Sequence, residues 1–172
     1  MASAGPPVVD ATSVVDDGAT LGPGTRVWLF SHVCRGAVIG AHCMIADYCY
    51  IDNGASIGDY CRIQNHVSVY SGVTLDDHVL VGPGVRFTND TFKQRWEHGF
   101  PVAPWDLAWT SIGAYTRIGA GAVILAGVSI GSDCTIGAGA IVLADVPDGS
   151  TVVGTWKRHR GWLPRLLRRW LG

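Results

Sequence analysis

The stretch from residue 37 to residue 63 reads AVIGAHCMIADYCYIDNGASIGDYCRI and has an isoleucine at every sixth position from Ile39. The same interval extends in both directions. Aliphatic residues or Phe occupy it from Val9 to Phe87, and it resumes in a new register from Ile112 to Val142. A period of six fits neither a helix of 3.6 residues per turn nor one long alternating strand. It predicts short strands separated by turns at a constant interval.

Most repeats also have a small or β-branched residue two positions before the aliphatic one. These residues are Ala19, Ala37, Cys43, Cys49, Ala55, Cys61, Val67, Val73, Ala122 and Cys134. A strand that turns sharply inward leaves little room there, so we expect these side chains to be buried. Four of the five cysteines are therefore predicted to be compact core residues. Because there is no CxxC pair and the count is odd, no disulfide framework is expected, which indicates a reducing cytoplasm.

Length and composition limit the remaining possibilities. The 172 residues suffice for one domain, and 23 glycines without a collagen triplet favour many turns. We expect no membrane span and no secretory signal, because apolar runs and a basic N-terminal region are missing. The net charge of −1 gives no reason to expect nucleic-acid binding. That near-neutral total combines an acidic body with a tail, residues 156–172, that has six basic residues and no acidic one.

The repeat over residues 8–160 resembles that of the hexapeptide acyltransferases, which are left-handed parallel β-helices. The resemblance implies an all-β domain over residues 1–160, in which three hexads form one triangular coil of 18 residues. It also implies a homotrimer with active sites between subunits. The left-handed turn is an exception to the usual crossover rule and is implied by the resemblance alone.

One segment, TNDTFKQRWEHGFPVAPWDLAWTS at residues 88–111, does not keep the six-residue interval. It holds 24 residues where a hexad step needs five, so 19 are inserted. A loop this long in a compact domain is usually functional or disordered, and its aromatic content favours a docked loop. We interpret it as a wall of the active site. The alternative is that it packs only on its own flank or on a neighbouring subunit.

A coil of 18 residues stacks Asn53, Ser71 and Asn89 at one corner. The outward residues of the face before that corner include Ser68, Tyr70 and Arg86. This polar and aromatic surface beside the loop is predicted to be a substrate wall. The alternative is an ordinary solvated face of a β-helix.

Three segments resemble one branch of the family, the N-acetyltransferases of nucleotide-linked 3-amino sugars. The segments are Arg26-Val27-Trp28 with Phe30 and His32, the octapeptide IQNHVSVY at residues 63–70, and Phe87-Thr88-Asn89. The resemblance implies that acetyl-CoA is the cosubstrate, that no metal is used, and that the acceptor is a UDP- or dTDP-linked amino sugar with the amino group at C3. Leu29 stands where that branch often has a second His.

The resemblance and the stacking of coils together give the candidate site residues. Asn89 would hold the acceptor amine, and His32 is the second catalytic candidate, ahead of His98 and His66 as a possible base. The predicted substrate-binding residues are Asn53, Asn65, Ser68, Tyr70 and Arg86. The predicted cofactor-binding residues are Ala120, Ala138, Lys157 and Arg158.

The sequence leaves three alternatives to an N-acetyltransferase. A sugar O-acetyltransferase of this superfamily carries a His-Pro-x-His motif after the corresponding corner, whereas this chain reads Asn89-Asp90-Thr91-Phe92. Without that base the sequence favours an amine over a hydroxyl acceptor. A γ-type carbonic anhydrase needs three convergent histidines, two of them five residues apart, and no such pair occurs. A non-catalytic scaffold remains as the last alternative.

The C-terminal residues 161–172 show apolar residues on one side of a helical projection and Arg165, Arg168 and Arg169 on the other. This pattern predicts a basic amphipathic helix. Docking on the last coil as a cap is the favoured interpretation. Contact with an anionic membrane surface is the alternative.

Overall fold

The computed structural model of the chain describes residues 5–90, 96–97, 100–101 and 108–157. Within these ranges the chain winds through about seven turns of a parallel β-helix with three flat faces, and no helix occurs there. The architecture is consistent with the predicted left-handed coil. The described residues therefore include no helix long and apolar enough to cross a membrane.

Each face is a parallel sheet of short strands from successive coils, and on the third face the last coil adds only an isolated bridge, Val146 to Ile130. The first face comprises Val8–Val9, Arg26–Val27, Met44–Ile45, Arg62–Ile63, Leu80–Val81, Arg117–Ile118, Thr135–Ile136 and Thr151–Val152. The second face comprises Val14–Val15, His32–Val33, Tyr50–Ile51, Ser68–Val69, Arg86–Phe87, Val123–Ile124, Ile141–Val142 and Thr155–Trp156. The third face comprises Thr20–Leu21, Val38–Ile39, Ser56–Ile57, Val73–Leu75, Thr110–Ile112 and Ser129–Ile130.

The strand registers confirm the coil length and the size of the insertion. Ile63 pairs with Val81, eighteen residues later, whereas Phe87 pairs with Ile124, thirty-seven residues later. The difference equals the 19 inserted residues expected from the sequence. The last coils are shorter, since Ile136 pairs with Val152 and Val142 with Trp156. The sequence pattern did not predict this shortening.

The six-residue positions fill the interior of the coil. From Val27 to Val142 every one of them is buried, and they form one continuous cluster with the small inward residues. The first coil differs because it lies at an open end of the helix. Val9 there is 38% exposed, and Val15 and Leu21 are only partly buried.

The inward cysteines also join successive coils through their thiols. Cys49 Sγ lies 3.1 Å from the Gln64 carbonyl oxygen, and Cys61 Sγ lies 3.0 Å from that of Asp76. Burial raises the pKa of the Cys49 thiol, which keeps it protonated and unreactive. The predicted structural role of these cysteines is therefore confirmed, with a hydrogen bond added to the packing.

The inserted segment ends earlier than residue 111, the end that the sequence pattern predicts. The coil resumes at Thr110 and not at Ile112, because the strand Thr110–Ile112 pairs with Val73–Leu75 and buries the Thr110 side chain. Within the insertion Trp96–Glu97 pairs antiparallel with Phe100–Pro101. The predicted C-terminal helix at residues 161–172 lies outside the described residues.

Adjacent residues on the third face offer a direct test of the interior. Ile39 is 1% exposed, and its neighbour Val38 is 46% exposed. We expect Ile39→Ala to lower the free energy of unfolding by about 2–5 kcal/mol, because it opens a cavity in a narrow core. Val38→Ala, the matched control, should change it by well under 1 kcal/mol. Equal losses in chemical denaturation of the two variants would contradict this packing.

Candidate functional site

A groove of about 520 Å³ crosses the second face at the coil that precedes the insertion. Its lining residues are His66, Ser68, Tyr70, Gly84, Val85, Arg86, Phe87, Thr88, Asn89 and Asp90. Four predicted site residues, Ser68, Tyr70, Arg86 and Asn89, therefore lie together in it. The groove runs from the corner at Gly84 to the corner where the inserted segment leaves the coil.

The floor of the groove follows from the alternation of side chains along two paired strands. Ser68 pairs with Arg86, so their outward side chains are neighbours at the strand spacing of about 4.8 Å. Val69 and Phe87 point inward and are fully buried. Thr88 accepts a hydrogen bond of 2.8 Å from the Ala126 backbone N–H, which ties the end of the strand to the next coil. The sequence thus places one cation and several hydroxyl groups on a rigid sheet.

Asn89 is half-buried at the end of this groove. Its side-chain amide makes no hydrogen bond to any other residue in the described part of the chain. An amide does not act as a base near neutral pH, but it can orient an amine or donate to a developing oxyanion. Arg86 is exposed on the same strand and makes no ion pair with the described residues.

The other predicted polar residues lie outside the groove lining. Asn53 occupies the same corner as Asn89 two coils earlier and donates its backbone N–H to Asp52 at 2.8 Å. Asn65 lies at the opposite corner, where its carbonyl oxygen accepts the Gly84 N–H at 2.9 Å. His98 lies outside the described residues.

His32 lies on the second face in a separate polar cluster. Its Nε2 is 3.0 Å from Asp16 Oδ1, within hydrogen-bond distance. The hydrogen bond from His32, and a second from the Arg35 N–H, lower the pKa of Asp16. The donor atoms of Asp16, His32 and Cys34 lie within 4.8 Å of one another, so this set can hold a metal ion. Sequence reasoning missed the grouping, although the 18-residue interval relates Asp16 to Cys34.

Tyr50 lies between His32 and the groove. Its hydroxyl donates to Asp52 Oδ1 at 3.2 Å, and its ring contacts that of His32 edge-on at 5.8 Å. A hydrogen bond with Cys34, followed by burial and the nearby Asp52 charge, raises the pKa of Tyr50. The phenol therefore stays protonated and acts as a fixed donor.

The predicted cofactor residues border the same face on two sides. Ala120 and Ala138 are exposed and stack at the corner that continues from Gly84, where the Gly121 N–H donates to the Pro83 carbonyl oxygen at 3.0 Å. Lys157 is exposed beyond the last strand of the second face, at the opposite edge. Arg158 lies outside the described residues.

A second depression, of about 600 Å³, lies on the third face. Its wall includes the carboxylates Asp76, Asp145 and Asp148. Asp145 and Asp148 accept the backbone N–H groups of Ser129 and Ser132, at 2.9 and 2.8 Å. They are therefore used as structural caps. Carboxylates repel phosphorylated ligands, and the groove with Arg86 is the better candidate for them.

The coil of hexads with a groove on one outer face defines a class of β-helical protein. The chain belongs to the family described as bacterial transferase hexapeptide (six repeats), whose model matches residues 36–70, 54–89 and 110–144. No curated protein sequence matches the chain significantly.

Two solved structures are similar to the fold. The acetyltransferase domain of PglB from Neisseria gonorrhoeae, in complex with acetyl coenzyme A, is 25% identical with a TM-score of 0.52. PerB from Caulobacter crescentus, in complex with CoA and GDP-perosamine, is 22% identical with a TM-score of 0.51. The matches cover 87% and 88% of this chain, but the chain spans only 55% of the length of either structure.

The Asp16–His32 pair makes stability depend on pH in a defined direction. Because the pKa of folded Asp16 is lowered, its contribution is present above the unfolded value of about 3.9 and is lost as pH falls through the folded value. Asp16→Ala should therefore melt below the wild type at pH 7, with the gap closing in acid. The exposed neighbour Asp17 provides the control, since Asp17→Ala should melt like the wild type throughout. A gap for Asp16→Ala that is constant from pH 7 to pH 2.5 would refute this assignment.

Proposed function

We propose that the protein is an acyl-CoA-dependent N-acyltransferase that transfers an acetyl group from acetyl-CoA to the C3 amino group of a UDP- or dTDP-linked amino sugar. It acts as a cytoplasmic homotrimer with sites between subunits. The observation that carries the proposal is the groove that brings Asn89, Arg86, Ser68 and Tyr70 together beside the insertion. Membership of a transferase family and the Phe87-Thr88-Asn89 segment support it.

The chemistry of the groove suits an amine acceptor. A sugar amine with a pKa near ~8, similar to an α-amino group, reaches its neutral form at pH 7 at a cost of about 1.4 kcal/mol. Positioning against the thioester can supply several times that amount. A hydroxyl acceptor needs a general base, and Asn89 cannot provide one.

The reaction then needs no covalent enzyme intermediate. The neutral amine nitrogen forms a bond to the thioester carbonyl carbon, the carbon–sulfur bond breaks, and the amine proton leaves with the thiolate as coenzyme A thiol. In this scheme Asn89 orients the amine or donates to the developing oxyanion. Arg86 binds the phosphates of the acceptor, and Ser68 and Tyr70 bind sugar hydroxyls.

The donor is assigned to the later coils of the same face. The PglB acetyltransferase domain, which is similar over most of this chain, was solved with acetyl coenzyme A. The exposed column of Ala120 and Ala138 leaves backbone groups accessible to an extended arm. Lys157 lies at the far edge of this face, where it would contact a phosphate, and Arg158 would act beside it.

O-acylation of a saccharide is the second candidate, and the Asp16–His32 pair is the observation that favours it. A carboxylate beside an imidazole is a recognised way to build a general base. Against this, the strand of His32 lies two strand spacings from that of Ser68 in the groove wall, a separation of about 10 Å. His32 would therefore need the acceptor to extend well beyond the groove.

Replacing Asn89 tests the catalytic assignment. We expect Asn89→Ala to lower turnover at least about tenfold, the loss of one well-placed hydrogen bond at the reacting atoms. Light scattering should show the same assembly for wild type and variant. Thr135→Ala, an exposed residue on the first face, is the control and should keep full turnover. Unchanged turnover in Asn89→Ala would remove Asn89 from the site.

A panel of acceptors tests the reaction class. Thiol release from acetyl-CoA is measured with UDP- and dTDP-linked 3-amino sugars, their 4-amino isomers and the matching sugars that have hydroxyl groups only. We expect at least a hundredfold preference in kcat/KM for a 3-amino acceptor over its hydroxyl counterpart. Activity on hydroxyl acceptors alone would replace the proposal by the O-acyltransferase.

A further inference from the structure

Aromatic side chains stack along the corner between the first and second faces. Phe30, Tyr48 and His66 occupy equivalent positions in three successive coils, with ring centroids 5.2 and 5.0 Å apart. All three have a left-handed backbone conformation, with φ between 56° and 60°. Such a conformation is unfavourable for a bulky residue, and the stacking of neighbouring rings offsets its cost. We call this column the first ladder.

The first ladder ends at a glycine. The next coil places Gly84 in the same column, with φ +66°, and a Cβ built there meets no atom of the described residues within 4 Å. One face of the His66 ring is stacked on Tyr48, and the other faces the space beside Gly84. Both His66 and Gly84 line the groove. Among the described residues, the groove therefore contains a vacant ring position, next to an exposed imidazole face.

A second ladder lies away from the groove, and a glycine with positive φ, Gly24, precedes its first residue by one coil. His42, Tyr60, His78 and Tyr115 stack along the corner between the third and first faces, with centroids 4.7–4.9 Å apart. This ladder continues across the insertion, and its next position is Asp133, which has a side chain. None of its residues lines the groove.

We propose that the vacant ring position next to His66 binds the nucleobase of the acceptor, which stacks on the imidazole as the next ring of the first ladder. This inference rests on the proposed function. Gly84 leaves the position open, Arg86 lies midway along the groove for the diphosphate, and Asn89 lies at the other end for the amine. From the turn at Gly84 to Asn89 the chain advances five residues around the strand Arg86–Phe87, at most about 16 Å, comparable to the length of a nucleotide sugar.

The geometry separates this role from that of a base catalyst. His66 and Asn89 lie at opposite corners of the second face, and His66 is one coil earlier. An imidazole at that distance does not reach an amine held by Asn89. The His66 ring has one face next to an open position at the distance of a stacked ring, so it is suited to stacking with another planar ring. Any nucleobase can occupy that position, because every base has a π-face.

Binding of diphosphates without the sugar tests the inference directly. Titration calorimetry is carried out with UDP, dTDP and GDP, and with inorganic pyrophosphate as the probe that lacks a base. His66→Ala should weaken the best nucleoside diphosphate by about 5- to 100-fold, the worth of one base–aromatic stack, and should leave pyrophosphate unchanged. His66→Phe should keep most of the affinity, because Phe30 shows that this column accommodates a phenylalanine. His42→Ala removes the terminal histidine of the second ladder, and it is the matched control for nucleoside diphosphate affinity.

A second variant fills the vacancy and leaves His66 in place. Gly84→Tyr supplies the missing ring in a conformation that Tyr48 already adopts in the same column. We expect the variant to keep the fold despite the strain of a side chain at positive φ, while nucleoside diphosphate affinity falls at least tenfold. In the acetyl transfer assay KM for the acceptor should rise, with kcat retained at saturation for His66→Ala.

Three results would overturn the base site. The first is equal nucleoside diphosphate affinity in wild type, His66→Ala and Gly84→Tyr. The second is a loss of coenzyme A affinity in both variants while nucleoside diphosphate binding stays intact. That result would assign the vacant ring position to the adenine of coenzyme A. The third is a wild type that binds no nucleoside diphosphate at all. The acceptor panel measures acyl transfer separately, so a failure of the base site is distinguishable from a failure of the proposed function.

Discussion

The interior of the coil admits one aliphatic side chain and one small residue from each side of the triangle, and the rest of the structure depends on this limit. Because every coil must meet it, the six-residue positions on both sides of the insertion, from Val27 to Phe87 and from Ile112 to Val142, are buried. A parallel sheet pairs each strand with the next coil, so residues at equivalent positions stack in columns at about 4.8 Å. Outward positions are free of the packing constraint, and they are where chemical groups can collect.

The second face shows how the columns divide into regions. Before the insertion its outward residues are polar or aromatic, and include His32, Tyr50, Ser68 and Arg86. After the insertion the same positions carry Val123 and Ile141, and Leu125 and Leu143 follow them. The groove lies where the two regions meet, at the corner from which the inserted segment leaves. The proposal uses both regions, with the acceptor on the polar part and the donor arm along the later coils.

The period of six was sufficient to predict the inward residues, the roles of the cysteines and the 19 inserted residues, because each follows from the fixed length of the repeat. The coil length of 18, which came from family resemblance, then placed Ser68, Arg86 and Asn89 together. The aromatic ladders were missed, although Tyr48 and His66 are eighteen residues apart in the sequence. The ladders place bulky residues at corners where the backbone is left-handed, a conformation that such residues rarely adopt. Sequence preferences therefore argue against aromatic residues at these corners. The pairing of Asp16 with His32 depends on the direction of two side chains, and strand position alone does not determine it.

The shortened coils after Val142 could not be predicted for a different reason. Their registers change because fewer residues complete each turn, and the aliphatic interval has already ended by then. The last strand still adds Trp156 to the edge of the core, so packing is maintained without the repeat. Sequence periodicity therefore describes the body of the helix well and its final turns poorly.

A crystal structure of the full chain with coenzyme A and a non-reactive UDP- or dTDP-linked 3-hydroxy analogue of the acceptor would test the central claim most directly. We predict that the analogue lies in the second-face groove, with its C3 oxygen within hydrogen-bond distance of the Asn89 amide and the coenzyme A sulfur beside it. Both ligands bound elsewhere, for example in the third-face depression lined by Asp76, would contradict the account.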